Sequence, residues 1–387
     1  MRSLRRKCEI RGEYTALTQK SLHIVSFDVP FPPNYGGVID VFYKIKALKE
    51  SGVDVHLHCF RYGRQESEKL NEICASVNYY ERQMNNKLLF SSEPFIIASR
   101  RSELLLQNLS KDNVPVLFEG LHCCAYLSST ELSKKKKLVR THNIEHDYYR
   151  GLADVEKKIM KRMYFRREAK KLQRFEKKLS LADAVLAISP SDATSLALRY
   201  KNVKHVMAFH PYEDVVAKTG KGDFALYHGN LEVGENNQAA LFLVKEVFNN
   251  LDLQLVIAGN NPSAELKKEV AARKNISLKA NIPTAEIDEL IANAHVNILP
   301  TFQATGIKLK LLAALFLGRF CLVNSPMVAN TGLESVCIMG ETAPAMISQL
   351  KRLFKEEFKS EQIEKRKILL ADKFSNRKNA EKIMELI

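Results

Sequence analysis

The chain predicts an α/β protein built as two doubly wound, Rossmann-like domains facing each other across a cleft. Three observations predict it. Short apolar runs alternate with longer amphipathic stretches from Leu22 onward, two such series are separated by a stretch with no helical period, and 387 residues with 45% apolar content can fill two cores of ordinary size.

Taken in order, residues 1–20 open with the basic run Met1-Arg-Ser-Leu-Arg-Arg-Lys7. The apolar stretch of a signal peptide does not follow, so a loose extension is expected there. A first domain, 21–208, then carries candidate strands at Leu22 to Phe27, Val53 to Cys59, Val114 to Phe118, Lys137 to Thr141 and Ala184 to Ile188. Residues 209–222 mix Pro, Gly and charge without periodicity and read as a linker. A second domain, 223–370, carries strands at Phe224 to His228, Leu253 to Ala258, Val296 to Pro300 and Phe320 to Val323. The last segment, 371–387, reads as one amphipathic helix with a polar start. Doubly wound domains bind ligands at the carboxyl edges of their sheets, which here line the cleft.

The chain carries 59 Lys and Arg against 44 Asp and Glu, a formal charge of +15, so anionic partners are expected: nucleotide phosphates, nucleic acid or an acidic membrane surface. No nucleic-acid motif is present, and nucleic acid is set aside. The seven scattered cysteines show no CxxC pair and are odd in number, which favours a reducing cytoplasm over a disulfide framework. No apolar run approaches the ~18 to 20 residues that span a bilayer.

Three segments carry chemistry. The run His295-Val-Asn-Ile-Leu-Pro300 leads into Thr301-Phe-Gln-Ala-Thr-Gly-Ile-Lys-Leu-Lys310 and an apolar helix. A strand ending in a Gly-containing turn before a helix presents free backbone N–H groups to an anion, and Lys308 and Lys310 add charge that suits a diphosphate. The Pro-rich loop Asp28 to Phe42 places Tyr35, Gly36 and Gly37 before a helix, where backbone could approach a ligand or simply make a tight connection; the GxGxxG fingerprint is absent. His142 and His146 share a helical face, but the H-E-x-x-H order and a third ligand are missing, so no metal is expected. The basic stretch 156–178 has Ile159, Met163, Leu172 and Phe175 at helical spacing as its expected buried side. Its cationic face is either solvated or rests on anionic lipid.

The Gly-Gly loop, the strand-turn Val116-Leu-Phe-Glu-Gly-Leu-His122, the segment Arg140-Thr-His-Asn-Ile-Glu-His-Asp-Tyr-Tyr149 and the Thr-Gly-Ile-Lys turn occur in an order that resembles glycosyltransferases of the GT-B fold, in the retaining family numbered four. The resemblance implies a nucleotide-sugar donor, a glycan or lipid-linked glycan acceptor, transfer with retention in bacterial surface polysaccharide assembly, and a C-terminal helix crossing back to the first domain. It implies that His122 faces the transferred sugar, and that Tyr35, Gly36, Gly37 and Glu145 belong to the acceptor and phosphate side. Gly229, Asn230, Asn236, Ile282, Thr305, Gly306, Ile307, Lys308 and Lys310 then belong to the donor. No Asp-x-Asp motif occurs, so metal-independent transfer without a cofactor is expected, at the cytoplasmic face of the membrane. One departure matters: the family's ribose-holding glutamate is Ala313 here, so either Glu334 replaces it, or donor binding differs from the family, or the chain binds a donor or glycan without turnover.

Overall fold

The computed structural model describes residues 19–302 and 309–387. The first sheet holds β1 Lys20–Ser26, β2 Val53–Arg61, β3 Ser76–Glu81, β4 Val116–Glu119, β5 Lys137–Thr141, β6 Ala184–Ala187 and β7 Val203–His205, in the order β3-β2-β1-β4-β5-β6-β7. The second holds β8 Phe224–His228, β9 Gln254–Gly259, β10 Ile276–Ala280, β11 Val296–Leu299, β12 Phe320–Val323 and β13 Ile338–Met339, in the order β10-β9-β8-β11-β12-β13. Every pairing between these strands is parallel. Parallel strands covered by helices on both faces bury both sides, which is why β4, β6, β11 and β12 are buried throughout. The strands absent from the sequence reading, β3, β7, β10 and β13, are the four outer ones, where half-exposed residues such as Ser76, Asn78 and Lys279 dilute the apolar signal.

Each domain has its own core. Val25, Phe118 and Val185 pack on one face of the first sheet, Ile24, Val41 and Leu186 on the other, and the second core gathers around Tyr227, Ile257, Ile298 and Phe316. The segment 371–387 is not one helix. Helix Ser360–Lys373 stops at buried Phe374, and helix Asn376–Met384 restarts from Ser375, whose side chain accepts from Lys378 N. His210 of the linker pins the break: its Nε2 donates to the Phe374 carbonyl at 2.7 Å, and Asn376 Nδ2 donates to the His210 carbonyl at 2.7 Å. Ala380 and Ile383 of this last helix sit in the first domain's core beside Leu22 and Val41. Among the described residues, no helix is long and apolar enough to cross a membrane.

A hydrogen-bonded chain lies within the first sheet. Asn108 donates to the Tyr80 oxygen (2.9 Å), Tyr80 OH to His58 Nδ1 (2.8 Å), His58 Nε2 to His23 Nδ1 (2.9 Å), and His23 Nε2 to Asp112 (3.1 Å). Burial pushes His23 down to about 4 and His58 down to about 3, from an ordinary 6.5. The unfolded chain therefore takes up protons first, and stability is lost as pH falls from 6.5 through about 4. Each imidazole is expected to contribute a slope of up to roughly 1.4 kcal/mol per pH unit. Denaturant titrations between pH 7 and pH 4 check this: His58→Phe should flatten the slope, and an unchanged slope would remove the histidines as its cause.

Candidate active site

The first half of the site is set by how β1 ends. Ser26 Oγ donates to the Asp28 carbonyl (2.6 Å), Tyr35 OH donates to Asp28 Oδ2 (2.9 Å), and Arg64 Nε donates to the Val29 carbonyl (2.7 Å). The loop so tied delivers Gly36 and Gly37 as the first residues of helix Gly36–Glu50. A Cβ at Gly37 would stand 2.7 Å from the Phe27 ring, whereas Gly36 has nothing within 4 Å and opens toward the cleft. After β4, Gly120 adopts φ 70°, and a Cβ there would lie 2.7 Å from His122 Nδ1, so this turn needs glycine to fold the imidazole back.

The result is a cavity of about 390 Å³ that brings Tyr35, Gly36, Gly37, His122, Glu145, His142 and Tyr148 together with Leu309 of the second domain. His122 stacks obliquely near Phe27, and its buried Nδ1 has no hydrogen-bond partner. Glu145 Oε1 lies 4.0 Å from that nitrogen. Burial holds His122 well below its ordinary value, reinforced by the charge of Arg100. Burial also raises Glu145 to about 8 against the pull of Arg100. At neutral pH both groups are uncharged, each able to donate a hydrogen bond, in a pocket that needs a polar partner from outside.

Beneath the cavity runs a charge network, buried at Asp40, Lys44, Glu119 and Arg140 and reaching the cavity at His142. Lys44 Nζ donates to Asp40 (2.9 Å) and Glu119 (2.6 Å), Arg140 Nη2 donates to Asp40 Oδ1 (2.9 Å), and His142 Nε2 donates to Glu119 Oε2 (3.0 Å). Burial pushes both carboxyls up, but the cations beside them outweigh it and hold both below their ordinary range. Asp40, Glu119 and His142 present ligand atoms within 4.8 Å of one another, yet Lys44 and Arg140 already supply the positive charge there. His146 turns to Glu176 instead (2.8 Å), so the two histidines four apart serve different acids.

The second half lies at the carboxyl edge of β8 to β12. Gly229 packs against Asn236, and a Cβ on Gly259 would stand 1.9 Å from the Gly229 carbonyl, so the end of β9 must be glycine. Asn236 Nδ2 donates to the Asn230 carbonyl (2.9 Å), and Lys310 Nζ donates to Asn236 Oδ1 (2.7 Å), joining three of the residues named from sequence. Ile282 follows Asn281, which has φ 57°, and packs on the cluster that contains Ala313. Ala313 itself is buried among Leu226, Ala258, Ile291 and Ala294. Glu334 is exposed on the turn Glu334–Val336, and its carboxylate makes no hydrogen bond among the described residues. Thr305, Gly306, Ile307 and Lys308 lie outside the described residues. The strand leading to them is held by Asn324, which accepts from Thr301 N (3.0 Å) and donates to its carbonyl (2.7 Å), and by Glu235, which accepts from the Thr301 hydroxyl. Glu235, Asn324, Gly259, Arg100 and the Asp40 network were not read from sequence; each acts through a partner distant in the chain, and no local pattern marks it.

Residues 223–356 match the family described as Glycosyl transferases group 1. That similarity covers most of the second domain. A Klebsiella pneumoniae protein described as an uncharacterized 44.6 kDa protein in the cps region is 29% identical over 338 residues, 81% of this chain and 83% of that one. Among solved structures, TarM superposes with a TM-score of 0.69 at 10% identity, covering 96% of this chain and 99% of that one. HepE from Anabaena, in complex with UDP and glucose, gives 0.62 at 9% identity, covering 95% and 98%, and MurG from Acinetobacter baumannii gives 0.52 at 12%, covering 95% and 99%. The architecture, two parallel-sheet α/β domains, is GT-B.

Proposed function

We propose that the chain transfers a sugar from a nucleotide-sugar to a glycan or lipid-linked glycan hydroxyl with retention of configuration, in assembly of a surface polysaccharide at the cytoplasmic face of the membrane. The observation that carries this reading is a cavity where His122 and Glu145 meet Leu309, the first described residue after the Thr-Gly-Ile-Lys sequence. The cps setting of the Klebsiella relative and the UDP and glucose held by HepE support the polysaccharide and the donor class.

In the proposed reaction the acceptor oxygen bonds to the anomeric carbon as the bond from that carbon to the diphosphate breaks. The acceptor proton passes to the departing phosphate oxygen, where the charge develops. Helix N-termini and Lys308 neutralise that charge, so no metal is required of this mechanism. Neutral His122 and the Glu145 carboxylic acid position the sugar and the incoming hydroxyl by hydrogen bonds rather than by proton abstraction.

Lys308→Ala is expected to weaken binding of the nucleoside diphosphate by on the order of 1.5 to 3 kcal/mol, the size of a charge-assisted contact. Calorimetric titration checks it, and unchanged affinity in the folded variant would displace the diphosphate from this turn. A second reading, a donor- or glycan-binding protein without turnover, is favoured by Ala313, an alanine at the position where the resembled family holds the ribose with glutamate. Acceptor-dependent release of nucleoside diphosphate separates the two, because a binding protein would bind without release.

A further inference from the structure

Helix Ile159–Glu176 does not bury the side its periodicity suggests. Leu172 and Phe175 reach the core, but Ile159 is 63% exposed, Met160 79% and Met163 60%. The reason is that only the C-terminal half of the helix is anchored. Glu168 accepts from Phe95 N at 2.6 Å, and Lys171 donates to the Leu89 carbonyl at 3.1 Å, while the first two turns stand clear of the core. Ile159, Met160 and Met163 fall at i, i+1 and i+4, one contiguous apolar tip. Next to the anchored half, Phe90, adjoining Leu89, is 77% exposed. Exposed Arg166, Arg167 and Lys170 continue the helix, and eleven Lys and Arg face only Glu168 and Glu176 over residues 157–178.

We propose that this tip and its basic flank dock the protein on an anionic phospholipid surface, with Ile159, Met160, Met163 and Phe90 entering the headgroup boundary. The inference rests on the reading above, since it gives a lipid-linked acceptor its route to the cavity. Tyr148 lines that cavity, and the neighbouring Tyr149 ring meets Phe165 of this helix edge-on at 5.9 Å. A basic amphipathic surface with a protruding apolar tip matches lipid in both parts: acyl chains for the methionines, headgroup charge for the arginines. A second copy of the chain fits poorly, because a self-complementary interface would bring two such basic flanks together. Nucleic acid would use the charge but leave the aliphatic tip without a partner.

The test is sedimentation of the full chain with phosphatidylcholine vesicles, with and without about 30% phosphatidylglycerol, a charge density chosen to attract basic surfaces. Binding is expected to the anionic vesicles only. Arg166→Glu with Arg167→Glu, and separately Ile159→Ser with Met160→Ser and Met163→Ser, should each lower partitioning by about tenfold or more. Melting temperatures should stay unchanged, since these side chains touch little. Binding by the serine variant equal to wild type would overturn insertion of the tip, and wild-type failure to bind anionic vesicles would overturn the docking surface. Dimerisation without lipid that the serine variant abolishes, or preference for RNA over vesicles, would also overturn it. Donor turnover on a water-soluble acceptor, measured in parallel, fails independently: turnover without vesicle binding defeats only this inference, and vesicle binding without turnover defeats only the proposed transfer.

Discussion

His122→Ala is expected to reduce kcat by about 100- to 1,000-fold, the usual cost of removing one preorganised hydrogen-bond group from a site where charge develops. The effect should fall on kcat more than on donor affinity, because the imidazole belongs to the first domain's side of the cavity and the proposed mechanism binds the diphosphate through the second domain. The neighbouring Glu145 gives the result a pH signature. Glu145 is raised to about 8 by burial, so its carboxyl is able to donate a hydrogen bond at neutral pH and ionises above about 8. Activity should then fall as pH rises past about 8, and Glu145→Gln, which keeps a donor and cannot ionise, should lose that alkaline limb. Stability follows the same group with a definite sign. A carboxyl raised from 4.5 to about 8 costs folding free energy progressively as pH climbs through that interval, so Glu145→Gln should melt higher than wild type at pH 8 and show little difference at pH 4. Retention of the alkaline limb in Glu145→Gln would assign it to another group.

Asp40→Ala is expected to destabilise the protein by about 3 to 5 kcal/mol, because removing one member of a buried ion network leaves the others uncompensated. Asp40 accepts from Lys44, Arg140 and the backbone N–H of Phe209 at the start of the linker, all of them buried. Arg140 also donates to the Met207 carbonyl at 2.8 Å, so the same network fixes where the chain leaves the first domain. Loss of Asp40 should therefore reach the cleft as well as the core. Urea unfolding with an unchanged m-value would measure it, and a loss below about 1 kcal/mol would show that Lys44 and Arg140 find other partners.

What the sequence made legible follows from which physical signals are local. Central strands such as Ile24-Val25 and Val296 to Leu299 are buried on both faces, and a continuous apolar run announces them. Edge strand Ser76–Glu81 is half exposed and carries no such run. Gly36, His122 and Glu145 were reachable because they sit in segments whose residue order resembles a family. The cavity that joins them depends on Gly120 at positive φ and on Leu309 reaching it from the second domain, neither of which a local sequence pattern marks. Helix Ile159–Glu176 shows the opposite failure. Its periodicity marks Ile159 and Met163 for burial, but periodicity reports only that a face is apolar, not that protein covers it. The C-terminal segment reads as one helix from its amphipathic pattern; the break is set by Ser375, which caps the restart, and by His210, far earlier in the chain, which holds the Phe374 carbonyl.

The most direct test of the proposed transfer is release of nucleoside diphosphate across a panel of nucleotide-sugars, with and without a glycolipid extract of the source cells. Release confined to one base series, dependent on the extract and abolished by His122→Ala, is the expected result. Nucleotide-sugar binding with no release above the His122→Ala background, whatever the acceptor, would contradict it and leave a donor-binding protein.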